Sequence, residues 1–223
     1  MQRIDAHQHF WMFDPVRDNW ITSEMSILQS DFLPRDLKPI LQQENFYGSV
    51  LVQSEQSEKA NEWMLQLAAE NTFIKGIVGW VDLQAENIEE RLAHYIKFRI
   101  IKGFRHILQG EDDKALMLKP HFLRGIKALK KYDFTYDILI YPDQLQYAIK
   151  LVEQFPEQLF VLDHLAKPYI KSGEIEVWKK DIINLAQFEN VYCKISGMVT
   201  EGDWKLWKGG QFFPYLNVVA ETF

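Results

Sequence analysis

The sequence predicts an α/β barrel of the (β/α)8, TIM-barrel type, on three observations. Seven short, β-rich apolar runs alternate with amphipathic stretches, the order that right-handed βαβ units and a parallel sheet produce. No G-x-G-x-x-G follows the first run, which counts against a doubly wound dinucleotide-binding sheet. Polar and ionisable residues gather where the runs end, and barrel enzymes assemble their chemistry at the C-terminal ends of their strands.

The first run, residues 4–10, reads Ile4-Asp5-Ala6-His7-Gln8-His9-Phe10. Strand alternation sends Asp5, His7 and His9 to one face and Ile4, Ala6 and Phe10 to the other. The remaining runs are residues 47–53, 74–81, 101–106, 135–141, 159–164 and 191–196. Helix-period segments fill the gaps. Residues 34–43 open with Pro34, which suits a first helical turn. Residues 57–70 set Ala60, Met64, Leu67 and Ala68 on one stripe, with Ser57 as N-cap. Residues 86–98, 120–131, 143–155 and 174–187 repeat the pattern. No linker rich in Gly, Ser or Pro interrupts the 223 residues, which read as one domain.

Hydrophobic residues make up 47% of the chain and aromatics 14%, enough for a large core and too much for a disordered segment. A net charge of -6 argues against nucleic acid or an anionic membrane surface as a partner. No apolar run approaches the length of a membrane span. The single cysteine, Cys193, cannot form an internal disulfide, so a reducing, cytoplasmic location is expected. Its place inside an apolar run reads as inert burial.

At the ends of the runs stand His7 and His9, Gln53 and Glu55, Trp80 and Asp82, Arg105 and His106, Tyr141, then Asp163, His164 and Lys167, and finally Lys194 and Ser196. Only His94 and His121, of the 6 histidines, fall elsewhere and read as solvated. Two imidazoles about 7 Å apart on one strand face can grip a metal or flank a polarised substrate. The alternative is a solvated pair at the chain terminus. His164 is either functional or a core histidine bonded to a carbonyl. Arg105 suits a carboxylate or a developing oxyanion, because its fork donates two parallel hydrogen bonds; the alternative is a structural ion pair. Trp80 is a packing residue or an indole stacked on a sugar face. A continuing strand cannot aim both Arg105 and His106, or both Asp163 and His164, at one face. One member of each pair supports from outside, unless the strand ends between them.

Four segments in order, Ile4-Asp5-Ala6-His7-Gln8-His9-Phe10-Trp11, Gly103-Phe104-Arg105-His106, Leu162-Asp163-His164-Leu165-Ala166-Lys167-Pro168 and Cys193-Lys194-Ile195-Ser196-Gly197-Met198, carry a resemblance over essentially the whole chain. It is to the amidohydrolase-related family of metal-dependent hydrolases, and within it to the sugar-lactone hydrolases of the L-fuconolactonase and L-rhamnono-lactonase type. The resemblance implies a barrel that opens the cyclic ester of a small sugar acid by attack of activated water. It matches His7 and His9 to the family's strand-one pair, His106 to the histidine ending strand four, and His164 to that of strand six. These four are the implied catalytic set. His7, His9 and His164 are also the implied ligands of a divalent metal such as zinc, with metal-independent catalysis as the family's alternative. From the strand-end reading, Arg105, Lys167, Trp80 and Glu55 are the expected substrate-binding set, and Arg105 or Lys167 would stabilise the tetrahedral oxyanion. The same barrel could instead act on an amide or an aromatic lactone, or decarboxylate a substrate.

Family members carry an eighth strand near a Gly-Ser-Asp-Trp-Pro stretch, whose aspartate is the implied general base. No stretch of this sequence matches it, and residues 215–223 read as the helix before that strand. The expectation is a C-terminally shortened barrel lacking the eighth strand and helix. Unpaired edges on its first and seventh strands would invite self-association or a partner chain. A non-catalytic fragment or pseudoenzyme is the matching alternative.

Overall fold

The computed structural model describes residues 2–223, and the chain divides into two compact units, Met1–Trp80 and Val81–Phe223. The first contains β1 (Ile4–Gln8), α1 (Pro34–Gln43), β2 (Gly48–Val52), α2 (Glu58–Glu70) and β3 (Ile74–Gly79). β1 runs parallel to β2, and β2 to β3, as two successive βαβ connections require. Pro34 opens α1. Ser57 caps α2, its hydroxyl accepting from the Ala60 amide at 3.2 Å. Leu51 of β2, Ile74 and Ile77 of β3 and Met64 of α2 are buried. Asn61 of α2 is fully buried. Its amide donates to the Trp80 carbonyl at 2.7 Å and accepts from the Trp80 amide at 2.9 Å, satisfying both backbone groups where the chain leaves β3.

The second unit contains α3 (Ile88–Tyr95), β4 (Ile101–Ile107), α4 (Pro120–Lys131), β5 (Thr135–Leu139), α5 (Leu145–Gln154), β6 (Phe160–Leu162), α6 (Glu176–Leu185), β7 (Val191–Cys193), α7 (Met198–Glu201) and α8 (Phe213–Thr222). Strands β4 to β7 pair in sequence order, all parallel. An aromatic layer fills the space between strands and helices. Phe104 meets Tyr95 at 5.5 Å, and Tyr136 meets Phe122 at 5.9 Å and Phe160 at 6.3 Å between ring centroids. Alternation then leaves the opposite face of these strands to polar residues. Arg105 lies directly across from Asp137 in the β4–β5 register.

Strands and helices fall in the predicted order, and the differences are at their ends. The first run stops at Gln8, the sixth at Leu162 and the seventh at Cys193, each earlier than the apolar pattern suggests. At all three points the backbone leaves the ladder to place polar side chains. Among the described residues, no helix is long and apolar enough to cross a membrane.

Candidate active site

In the first unit the register slips between Asp5 and Gln8, and His9 lies just beyond β1. The two imidazoles therefore converge instead of standing a full strand repeat of about 7 Å apart. Their centroids are 4.8 Å apart, edge to face at 81°, and their Nε2 atoms approach to 3.1 Å. His9 Nδ1 lies 2.8 Å from the Val52 carbonyl. A carbonyl only accepts, so Nδ1 carries the proton and Nε2 offers a lone pair. Two nitrogens on a tetrahedral zinc, each about 2.0–2.1 Å from it, would lie roughly 3.3 Å apart. The spacing of this pair and the tautomer of His9 fit a divalent metal. Glu55, in the turn after β2, is half-exposed and 3.7 Å from Arg17. Gln53 is buried at the end of β2. Trp80 is half-buried, and its indole N–H has no hydrogen-bond partner among the described residues.

The second unit holds a buried cluster of four charges drawn from four consecutive strands. Arg105 is 4% exposed and donates to Asp163 at 2.9 Å. Lys194 stands 2.5 Å from Asp137 and 3.0 Å from the other oxygen of Asp163. Burial pushes the Asp137 carboxyl up to about 6 against the pull of Lys194. For Lys194 burial opposes the charge, yet attraction by Asp137 and Asp163 outweighs it and raises the ammonium's pKa. Arg105 thus occupies the ion-pair alternative.

His106, expected in the catalytic set, lies on the other face of β4. Alternation forces this once Arg105 faces Asp137. The His106 ring packs on Phe122 of α4 at 5.8 Å, and its Nε2 is 2.8 Å from Glu111. It supports the strand from the helix side.

Because β6 ends at Leu162, alternation does not bind Asp163 and His164, and both side chains reach the chain after β7. Asp163 meets Lys194, and His164 Nδ1 lies 2.8 Å from the Ser196 hydroxyl. An unusual turn achieves this. His164, Leu165, Ala166 and Lys167 have φ of 54°, 55°, 55° and 50°, four successive left-handed residues without a glycine. Each costs about 1–2 kcal/mol in an L-residue, so the surroundings must hold them. Trp178 of α6 donates its indole N–H to the buried Leu165 carbonyl at 2.7 Å, and the Lys167 amide donates to the His164 carbonyl at 2.7 Å. The Lys167 ammonium then sits 3.5 Å from Glu201 and 5.3 Å from the Tyr141 ring centre. Burial pushes the nearby Cys193 thiol up to about 12, so it stays protonated and unreactive.

Asp137, Glu111 and Trp178 belong to this account, but the strand-end reading does not find them. For Asp137 the available signal is a lone carboxylate within Tyr136-Asp137-Ile138-Leu139-Ile140, which a buried strand tolerates only with a cation. Glu111 and Trp178 lie in a loop and a helix and carry no comparable signal.

Comparison with known proteins places this arrangement of strand-end histidines, buried charges and parallel βα units. The chain belongs to the amidohydrolase family, whose model matches residues 4–223. It is 34% identical over 209 residues to an L-fucono-1,5-lactonase of Burkholderia multivorans, spanning 91% of this chain and 70% of the relative. An L-fucono-1,5-lactonase of Burkholderia ambifaria is 33% identical over 199 residues, with 89% and 69% covered. A crystal structure of an amidohydrolase from Burkholderia multivorans with bound zinc superposes with a TM-score of 0.94 at 32% identity, over 100% of this chain and 81% of that one. Amidohydrolase 2 from Bifidobacterium longum subsp. infantis shares the fold at 21% identity, with a TM-score of 0.69 and coverage of 100% and 80%. The chain is a hydrolase of this family, and its α/β fold is TIM-barrel-like.

Proposed function

We propose that the chain hydrolyses the ring ester of a sugar-acid lactone in the cytoplasm. Water adds to the carbonyl carbon, the ring C–O bond breaks, and the departing oxygen takes a proton to give the open hydroxy acid. The observation that carries this reading is the 34% identity over 209 residues to an L-fucono-1,5-lactonase. The converged ring nitrogens of His7 and His9 support it.

By resemblance to the family, His7, His9 and His164 would each serve as ligands of a divalent ion, and zinc is the ion bound in the related amidohydrolase structure. When bound, such an ion supplies Lewis acidity that polarises the ester carbonyl. The chain's own groups do the rest. Val52 holds the Nδ1 proton of His9 and so keeps its Nε2 basic. Lys167 brings a positive charge to the carbonyl oxygen as it becomes anionic. Trp80 offers an apolar face to the sugar ring, and Glu55 accepts from a ring hydroxyl. Arg105 serves by fixing Asp163. Pairing between copies through strand edges is part of the same reading, and sedimentation over a range of concentrations tests it.

The purified protein should be offered sugar-acid 1,4- and 1,5-lactones, aromatic lactones, simple amides and hydroxybenzoates, with and without added zinc. A pH indicator reads acid release. Turnover confined to the sugar lactones is expected. Turnover of another class with none of the sugar lactones overturns the reading.

A further inference from the structure

The left-handed turn at residues 164–167 delivers the His164 imidazole to one place, the chain just after β7. Residue 197 there is a glycine with φ of 66°. A Cβ built on Gly197 would stand 2.7 Å from His164 Nδ1, 2.8 Å from its Cγ and 3.1 Å from its Cβ. No real Cβ sits that close to a ring, so any side chain at 197 must push the imidazole away. The preceding residue, Ser196, holds the same ring by its Nδ1 at 2.8 Å. An Nε2 that offers its lone pair leaves the ring proton on Nδ1, where the Ser196 oxygen lies within reach to accept it. The turn presses the ring in, the missing Cβ admits it, and the hydroxyl occupies its Nδ1, so that Nε2 is the nitrogen left to act.

We propose that Ser196 and Gly197 are positioning residues for His164, forming a seat that fixes where its imidazole lies and which ring nitrogen is left to act. The proposal rests on the reading of His164 as a metal ligand in the hydrolase. It goes beyond that reading by assigning the specificity of its aim to the β7 end.

The fold contains its own control. Gly173 has φ of 76°, and a Cβ there would meet nothing within 4 Å. Gly173→Ala therefore imposes the same backbone strain as Gly197→Ala without touching His164. The experiment compares Gly197→Ala, Gly173→Ala, Ser196→Ala and Ser196→Thr. Zinc affinity is read by competition with a chelating dye, kcat and KM by lactone hydrolysis, and the His164 ring position by crystallography.

Gly197→Ala is expected to displace the ring and to weaken zinc binding and kcat/KM by roughly 10–100-fold. Ser196→Ala should do the same to a smaller degree, with Ser196→Thr restoring it, while Gly173→Ala leaves zinc affinity unchanged. An unmoved ring in Gly197→Ala, or equal loss of zinc affinity in the two alanine-for-glycine variants, overturns the proposal. Should Gly197→Ala fail to fold, the Ser196 pair decides: a His164 ring unmoved in Ser196→Ala, with zinc affinity equal to the parent, rejects the seat. A displaced ring with undiminished zinc binding and hydrolysis confirms the seat and instead rejects His164 as a ligand.

Discussion

Lys194, just after β7, bonds to Asp137 on β5, reaching across the intervening strand β6 to place its ammonium 2.5 Å from the carboxylate. The same ammonium takes the second oxygen of Asp163, whose first oxygen is held by Arg105. The cluster thus staples together four consecutive strands, β4 to β7, around His164's immediate neighbour.

Removing the staple should be costly. Lys194→Met leaves Asp137 and Asp163 buried with Arg105 as the remaining cation of the cluster. Breaking a buried pair on one side costs about 3–5 kcal/mol. Urea unfolding followed by circular dichroism is expected to show a loss of that size. The double variant Lys194→Met, Asp137→Leu should recover part of it, and a double variant as weak as the single one contradicts the pairing.

The pH dependence of this cluster has a definite sign. The Asp137 carboxyl is raised by burial from 3.8 to about 6. The folded state therefore holds a proton that the unfolded chain has already released. The stability this group contributes is full below its unfolded pKa and lost as the pH rises through the folded one. Asp137→Asn, neutral at every pH, escapes that loss. Between roughly pH 4 and 7 the variant should gain on the parent by about 1 kcal/mol or more, read from urea midpoints at both ends. A constant gap excludes the raised carboxyl.

The paired nitrogens of His7 and His9 make a separate prediction. Either histidine changed to alanine should cut zinc bound per chain, measured by elemental analysis after dialysis. Both rings are half-buried at a strand end, so stability should change by no more than about 1 kcal/mol. Full zinc occupancy in both variants removes these residues from the ligand set.

Trp178→Phe keeps an aromatic six-membered ring but removes the pyrrole half of the indole, and with it the N–H that serves the Leu165 carbonyl. A buried carbonyl left without its donor costs about 1–3 kcal/mol. Hydrogen exchange at the Lys167 amide, which closes the turn onto His164, should accelerate with it. Exchange as slow as in the parent shows that the turn does not depend on Trp178.

Much of this was legible in residue order, and the illegible part has a common physical source. Alternation along β4 separates Arg105 from His106, and the sequence states that rule without stating which residue faces inward. The choice is made by Asp137, whose partner Lys194 is 57 positions away. The first strand's histidines are visible from His-x-His, but their convergence to 3.1 Å comes from a register slip that no apolar pattern records. The turn at 164–167 is the least predictable element. Leu165 and Ala166 look like ordinary strand or helix residues, and only tertiary bonds hold them left-handed.

That turn also says where the protein could be made hardier and what it would surrender. Ala166 sits at φ 55°, a conformation that glycine adopts freely and alanine does not. Ala166→Gly should raise the thermal midpoint, by relieving about 1 kcal/mol of local tension, while letting the backbone that carries His164 wander. Robustness and catalytic sharpness are opposed at this one residue. A screen for heat tolerance would find the glycine, and a screen for turnover would discard it.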